Sequence, residues 1–480
     1  MGEAGSGTRQ YWDDVARWDR EYYLHITRSH REFQHIAVVS AEGSYFVVDS
    51  GARILDFASQ TVCSNLGHRH PRVVEAIKEA LDRYTYVSWG FCTDHRAKVA
   101  KILIEDVLGE EGWPGRIRIT SSGGEAMETA LGLAKLSTGR TNVVSVQYGF
   151  FGSTGVTNGG ATWVRGWGGA LASDDSPLFE PMPGYPLAGH YMAPAPFCYR
   201  CPIGHAYPSC AGRGESRDLA CVYTAERMIK TMGPETVAAI VVEPVPWTTA
   251  IIPPPEYLPQ MRALADRLGV LLIVDEVVTG GGRTGKWFAY QHGEGVFPDI
   301  VVMGKGIGGG AVPCGGVILG KRVDSVFVDK RWLTGGTMAS HPLTSAAMLG
   351  TLETLIDEQL VSRAEKLGEY LGGLLRQLAE RHPCVAFVDG VGLMWVIELV
   401  RDRTLRTPFV TDDRDALLAG DTSGHPNAIV HAECWENGLL VGGYTPNVVQ
   451  LTPPLTVTEA ECDHAVEILD RALLLVDAMV

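Results

Sequence analysis

The chain has 480 residues, enough for about three units at roughly 150 residues per domain, with an ordinary share of apolar (45%) and charged (20%) residues. Glycine is the outlier: 56 residues, about 12% against a usual share of roughly 7%, with no Gly-X-Y period, which excludes a collagen, and set among apolar runs, which excludes a flexible low-complexity chain. A formal net charge of −15 and a pI near 5.4 make nucleic acid and anionic membrane surfaces unfavourable partners.

The opening MGEAGSGTRQ is polar, without the apolar core of a secretory leader. No stretch approaches the ~20 apolar residues of a membrane helix, so the chain is expected in the cytoplasm and off the membrane. The first ~35 residues place polar and aromatic side chains at helical spacing. Residues 36–39 and 45–49 read as a hairpin closed through Ala41-Glu42-Gly43-Ser44. Residues 72–84, opened by His70-Pro71, then 95–108 and 125–137 read as amphipathic helices. Beyond them β-branched strands at 142–146, 237–242, 270–274, 299–302 and 317–319 alternate with helical stretches. That alternation predicts a mostly parallel sheet covered on both faces.

Residues 152–222 break the rhythm with Gly, Pro, Trp and Cys; segments of this length usually line an active site or an interface. Cys198, Cys201, Cys210 and Cys221 cluster there around His205. Cys198-x2-Cys201 has the spacing of half a zinc site, but Cys210 and Cys221 stand eleven apart and supply no matching pair. Reduced thiols in a loop are the plainer reading. After His341-Pro342 the pattern becomes a long helix over 343–381, strands within 386–400 and 439–451, and a last helix over 458–476, together an α+β cap.

Five features carry chemistry. Thr120-Ser121-Ser122-Gly123-Gly124-Glu125-Ala126 opens the third helix with small residues whose N–H groups and dipole attract an anion; an ordinary Ser N-cap reads the same way. Asp275 ends an apolar strand, where open parallel sheets bind ligands. An acid in mid-core would be costly, and Glu276 follows at once, so only one of the two can point that way. Lys305 ends a buried strand between Gly304 and Gly306, small neighbours that would let a bulky ligand reach its amine. Desolvation lowers an ammonium pKa and frees the nucleophile for imine chemistry. Glu243-Pro244 ends the strand 237–242, and Gly335-Gly336-Thr337 precedes Met338-Ala339-Ser340-His341-Pro342.

Together these resemble the class III (ω-)aminotransferases, fold-type I enzymes that use pyridoxal 5′-phosphate (PLP). The resemblance covers nearly the whole chain. It starts at Ile54-Leu55-Asp56-Phe57-Ala58-Ser59 and Asn65-Leu66-Gly67-His68-Arg69-His70-Pro71. It runs through Asp275-Glu276-Val277-Val278-Thr279-Gly280-Gly281-Gly282-Arg283-Thr284-Gly285 and Pro298-Asp299-Ile300 to Lys305-Gly306, and ends at Leu451-Thr452-Pro453-Pro454-Leu455. The Asp275 and Lys305 motifs, 30 residues apart, are its most specific part.

The resemblance implies an α/β PLP-dependent transferase fold of type I: a mostly parallel central sheet in a large domain, and a smaller α+β domain built from both termini. Residues 1–60 would be the N-terminal segment of the small domain, 61–340 the large PLP-binding domain, and 341–480 the C-terminal small domain. Lys305 would hold PLP as an imine (a Schiff base) and, once displaced, carry the proton between carbons. Asp275 would keep the pyridine nitrogen protonated, which makes the ring a better electron sink. Ser122, Gly123 and Gly124 would cradle the phosphate, Phe150 would stack on the ring, and Glu243 and Val278 would line it. Thr337 would reach the partner subunit's phosphate, which implies a homodimer with shared active sites, or a tetramer of such dimers. The segment Cys198-Tyr199-Arg200-Cys201-Pro202 with Tyr207-Pro208 also resembles a family loop, so no metal is expected there. Arg283 is expected to form a structural ion pair.

Departures from the family pattern bear on substrate. Gly124 stands where Thr or Ser is usual, Phe151 where His is usual, and Val278 where many members have Gln. Gln450 stands where many relatives carry an Arg that clamps the substrate carboxylate, and an amide cannot make that bidentate charged pair. Ser153 stands where acetylornithine-type members have a second Arg. Such a pocket suits an amine, aldehyde or ketone better than a dicarboxylate, unless Arg165 or Arg200 supplies charge. Trp89 and Trp163 are candidate pocket walls. The implied activity moves an amino group between an ω-amine or non-standard amino compound and a keto acid or aldehyde. A racemase, an epimerase or a decarboxylating relative would use Lys305 and Asp275 equally. A nucleotide-binding scaffold lacks its fingerprints: no Walker lysine follows Ser122-Gly123-Gly124, and no Gly-x-Gly-x-x-Gly opens the first strand–helix unit.

Overall fold

Three short strands open the fold: β1 (Val38–Glu42), β2 (Tyr45–Val48) and β3 (Arg53–Asp56), each antiparallel to the next. The first hairpin turns on Gly43-Ser44, a tighter turn than 41–44, with Gly43 at φ 56°, where glycine alone is unstrained. The computed structural model describes residues 9–25, 35–154, 188–247, 251–332, 335–410, 424–443 and 445–480.

The central sheet has seven strands: β4 (Pro114–Thr120), β5 (Asn142–Val146), β6 (His190–Ala193), β7 (Val237–Val242), β8 (Leu271–Asp275), β9 (Ile300–Gly304) and β10 (Gly315–Gly320). Their order is β4-β10-β9-β8-β7-β5-β6. Every neighbouring pair is parallel except those of β10, which runs antiparallel to both β4 and β9. The sheet is thus mostly parallel, as expected, and its one reversal is invisible in the strand–helix alternation. Strands β7 to β10 are buried at every residue. Helices cover both faces, so these strands read as continuous apolar runs rather than alternating ones.

The second half adds β11 (Val385–Val391), β12 (Met394–Asp402), β13 (Thr407–Pro408), β14 (Leu439–Leu440) and β15 (Val448–Leu451). β11, β13 and β15 pair antiparallel with β12, while β14 crosses to lie parallel to β3. One apolar cluster joins Leu55, Phe57 and Leu66 to Leu371, Ile397, Val449 and Leu469.

Two helical expectations change. The stretch 343–381 is two helices, Pro342–Asp357 and Leu360–Arg381, broken at Gln359, whose φ of 51° no right-handed helix can hold. The stretch 95–108 is α-helical over Asp94–Lys101 and widens to a π turn over Ile102–Val107. A helix at Pro426–Glu436 carries Ile429, Val430, Cys434 and Trp435 spread around its circumference, so no apolar stripe marks it in the sequence. No helix among the described residues is long and apolar enough to cross a membrane.

Candidate active site

Strands β7, β8 and β9 end side by side, and their carboxyl ends present Glu243, Asp275 and Lys305. Asp275 is 4% exposed and accepts one hydrogen bond, from the Val277 amide at 2.9 Å. Glu276 turns the other way. Its carboxylate accepts the Ala289 amide at 2.9 Å, the Tyr290 amide at 2.8 Å and the Thr279 hydroxyl. The pair therefore divides as its alternating directions require: Glu276 fastens a loop, and Asp275 faces the strand ends.

Lys305 begins the tight turn Lys305–Gly308 at φ 47°, the left-handed region that costs a side-chain-bearing residue about 1 kcal/mol or more. Its side chain is only partly accessible and lies deep in protein, and burial holds its ammonium below the usual lysine range. The nearby Cys63, Glu243 and Asp275 oppose that shift. Burial likewise pushes Asp275 up to about 7, against the Val277 amide and the Lys305 charge. Glu243 is pushed well above the carboxylate range by burial and by Asp275, against the Phe150 amide and Lys305. Glu276 rises to about 7 by burial, against its three donors.

The flanking glycines also have a packing reason. A Cβ on Gly304 would stand 3.2 Å from Val277 Cγ1 and 3.3 Å from Gly123 Cα, and one on Gly306 would collide with the Asn65 side chain. Close packing requires both. Gly123 is as tight, with Val277 methyls 2.9 Å from where its Cβ would lie.

Ser122 caps the helix Gly123–Thr138 from an extended conformation, its Oγ accepting the Glu125 amide at 3.1 Å. Glu125 in turn accepts the Ser121 amide and hydroxyl, and the Gly336 amide at 3.3 Å. The amides of Gly123 and Gly124 begin the helix, where no carbonyl four residues back can reach them. Such amides, with the helix dipole, are where an anion is favoured. The cap reading of this turn therefore holds, and the cap leaves the first helical amides where an anion would meet them. At Gly124 the space is open: a Cβ would meet nothing nearer than 3.9 Å, with Gly152, Ser122 Oγ and Thr154 Oγ1 at that distance.

Glu243 Oε2 accepts the Phe150 amide at 3.1 Å, which sets the half-buried Phe150 beside the strand ends. Val278 is half-buried and packs with Val62, Val245, Trp247 and Met394. Gln450 is 1% exposed. Its amide nitrogen donates to the Trp247 carbonyl, and its Oε1 has no hydrogen-bond partner among the described residues. Thr337 is exposed, its carbonyl accepting the Tyr86 hydroxyl at 3.0 Å. Trp89 is 56% exposed, its carbonyl held by Arg96 at 3.1 Å. Trp163 and Arg165 lie outside the described residues.

Arg283 is fully buried and structural, though not in an ion pair. It donates to the carbonyls of Leu393 (3.2 Å) and Pro453, and to Asn65 Oδ1 at 2.6 Å. Arg200 pairs with Glu398 at 2.9 Å. Burial pushes the thiols of Cys198 and Cys221 up to about 11 and about 12. Two residues near the lysine had no role from the sequence. Cys63 lies close enough to Lys305 for each to shift the other's titration, and Asn65 donates to the Gly281 carbonyl at 3.3 Å. The only signal for Asn65 was its place in the motif before His70-Pro71.

A buried carboxylate with one internal donor, a desolvated amine beside it and a helix N-terminus packed against Gly304 fit a group with a cationic ring nitrogen, a carbonyl and a phosphate. Without such a group, Asp275, Glu276 and Glu243 all have folded pKa values above their unfolded ones. The contribution of Asp275 and Glu276 is complete below the unfolded value near 4 and is lost as pH rises through about 7. The cofactor-free protein is expected to melt at least about 2 °C lower at pH 8 than at pH 6. Added PLP should narrow the gap, because a cation beside Asp275 removes its share. Differential scanning fluorimetry at the two pH values checks both statements.

The model of the family described as "Aminotransferase class-III" matches residues 26–473. The fold is similar to that of an S-selective transaminase from Arthrobacter sp., with 37% identity, 97% of this chain and 98% of that one covered, and a TM-score of 0.89. It is also similar to a taurine:2-oxoglutarate aminotransferase from Bifidobacterium kashiwanohense, solved with PLP and glutamate, with 27% identity, 100% and 99% coverage and a TM-score of 0.86. A leucine/methionine racemase from Thermococcus litoralis is 30% identical over 87% of this chain and 86% of its own.

Proposed function

The chain belongs to the class III aminotransferases and is a PLP-dependent transaminase, and we propose that its amino donor is an ω-amine or another non-standard amino compound, with a keto acid or aldehyde as acceptor. The observation that carries the donor class is the state of the arginine positions. Gln450 stands where a clamping Arg would be and is tied to Trp247, Ser153 stands at the second position, and Arg200 is neutralised by the buried Glu398. The cluster of Val62, Val278, Met394 and Gln450's partner Trp247 is apolar, which would suit an aryl or alkyl amine. The similarity to the S-selective transaminase supports the same class.

Bound PLP supplies an electron sink for the electron pair left when a proton leaves the substrate carbon. The residues named here would do the rest. Lys305, its ammonium disfavoured by burial, would be the amine that holds the cofactor and then takes and returns that proton. Asp275 would pair, ionised, with the ring nitrogen. Ser122 and the Gly123 and Gly124 amides would hold the phosphate, and Glu243, accepting the Phe150 amide, would fix Phe150 for stacking. Val278 borders the ring, and Thr337 completes the phosphate site of a partner subunit in a cytoplasmic homodimer. Residues 1–60 and 341–480 form the small domain around 61–340, a division supported by β14 lying on β3 and by the shared apolar cluster.

A donor screen tests the class. Aryl and alkyl amines should outpace glutamate and aspartate in single-turnover loss of the yellow absorbance; a dicarboxylate as best donor would overturn it. The racemase similarity favours a second reading. With keto acid omitted, an aminotransferase loses its yellow absorbance on adding donor, whereas a racemase keeps it and inverts the donor. The open space at Gly124 gives a further test. Gly124→Ser restores the usual hydroxyl where the nearest atoms are 3.9 Å from the new Cβ. One added hydrogen bond to an anion should tighten PLP roughly 3–10-fold, measured by fluorescence titration of the cofactor-free protein.

A further inference from the structure

Asp19 lies in the last turn of the helix Arg9–Tyr22, His25 three residues beyond that helix, and His35 three residues before β1. None of the three takes part in the chemistry above. Asp19 Oδ2 is 2.8 Å from His25 Nε2 and 2.8 Å from His35 Nδ1. The two rings meet edge to face, 5.2 Å between centroids. The three ligand atoms lie within 4.8 Å of one another, the only such trio of His, Cys, Asp or Glu side chains among the described residues. The imidazoles are inside, 9% and 3% exposed, while the carboxylate is 39% exposed.

We propose that Asp19, His25 and His35 form a site for a divalent transition-metal ion of the zinc or cobalt type. Two imidazoles and a carboxylate are the ligand set of such ions. Calcium and magnesium take oxygen alone, and copper(I) prefers sulfur. Metal–ligand bonds of roughly 2.0–2.2 Å leave ligand atoms roughly 3.2–3.5 Å apart; the two Asp19–histidine spacings of 2.8 Å would open by about half an ångström, and the two nitrogens already lie within 4.8 Å of each other. The half-exposed Asp19 is the entry side, and one nitrogen of each ring stands 2.8 Å from its Oδ2. The ion would tie the end of the N-terminal helix to the chain entering the first hairpin.

The test uses tag-free holoenzyme dialysed against EDTA and titrated calorimetrically with zinc. One ion per chain is expected, with a rise in melting temperature. Asp19→Asn and His35→Ala should each weaken uptake at least about tenfold and abolish that rise, while leaving the visible PLP spectrum and the zinc-free transamination rate unchanged. His35→Cys, which offers a thiolate instead, should restore stoichiometric uptake, so a variant that merely misfolds is told apart from one that lacks a ligand. Unchanged uptake in Asp19→Asn and His35→Ala, or no stoichiometric uptake by the wild-type protein, overturns the proposal.

Discussion

Replacing Lys305 with alanine is expected to lower kcat by at least about 10⁴-fold, because one amine carries two tasks. It holds the cofactor, and it moves the proton at the substrate carbon; the second task alone is commonly worth roughly 10²–10⁴-fold. The location supports both. Lys305 follows the buried strand Ile300–Gly304 at φ 47°, and the packing of Gly304 against Val277 and Gly123, and of Gly306 against Asn65, allows that backbone little movement. The variant should fold and still take up PLP through the phosphate cradle and Asp275, but the yellow absorbance of the bound cofactor should be lost. Stopped-flow of the donor half-reaction, with and without added methylamine, separates the tasks: a small amine in the vacated space should recover part of the proton transfer. Lys305→Arg should fail as well, since a guanidinium stays charged and is no nucleophile. A Lys305→Ala enzyme within about 100-fold of wild type would remove this lysine from the chemistry.

The parts of the site legible in the sequence are those where a local rule already excludes the alternative. An acid closing a five-residue apolar strand must face the strand ends or suffer burial without a partner, so Asp275 was visible, and its neighbour Glu276 had to point elsewhere. What escaped depends on distance in sequence. The glycines around Lys305 were legible as special, but their reason, Asn65 on one side and Val277 with Gly123 on the other, needs residues up to some 240 positions away. Arg283 was legible as structural, yet its partners are the backbone carbonyls of Leu393 and Pro453 and the amide of Asn65 rather than a carboxylate. Gln450 was visible as a missing arginine, whereas its link to the Trp247 carbonyl follows only from packing. At the level of fold, strand–helix alternation specified a mostly parallel sheet but carried no direction for Gly315–Gly320, the one antiparallel strand. The break at Gln359 was hidden because residues on both sides keep helical periodicity.

Asp275→Asn is expected to cost roughly 10²–10³-fold in kcat while leaving the fold intact. Asparagine has the same shape, and its oxygen still accepts the Val277 amide. What it lacks is the charge. A buried ion pair broken by removing one partner costs about 3–5 kcal/mol, and each 1.36 kcal/mol is tenfold in rate. That sets the range when the cationic ring nitrogen is the partner and its proton is what makes the ring an electron sink. The electrostatics add a sign. In the cofactor-free protein burial holds Asp275 near 7, so below that pH it carries a proton that binding must expel. PLP affinity should therefore fall as pH drops from 8 to 6, by up to about tenfold per unit below 7. In Asp275→Asn that dependence should flatten, because no proton remains to be released at this position, whereas a merely structural aspartate would leave the slope unchanged. Measuring the PLP dissociation constant across this range for both proteins, alongside kcat, tests the charge separately from the shape.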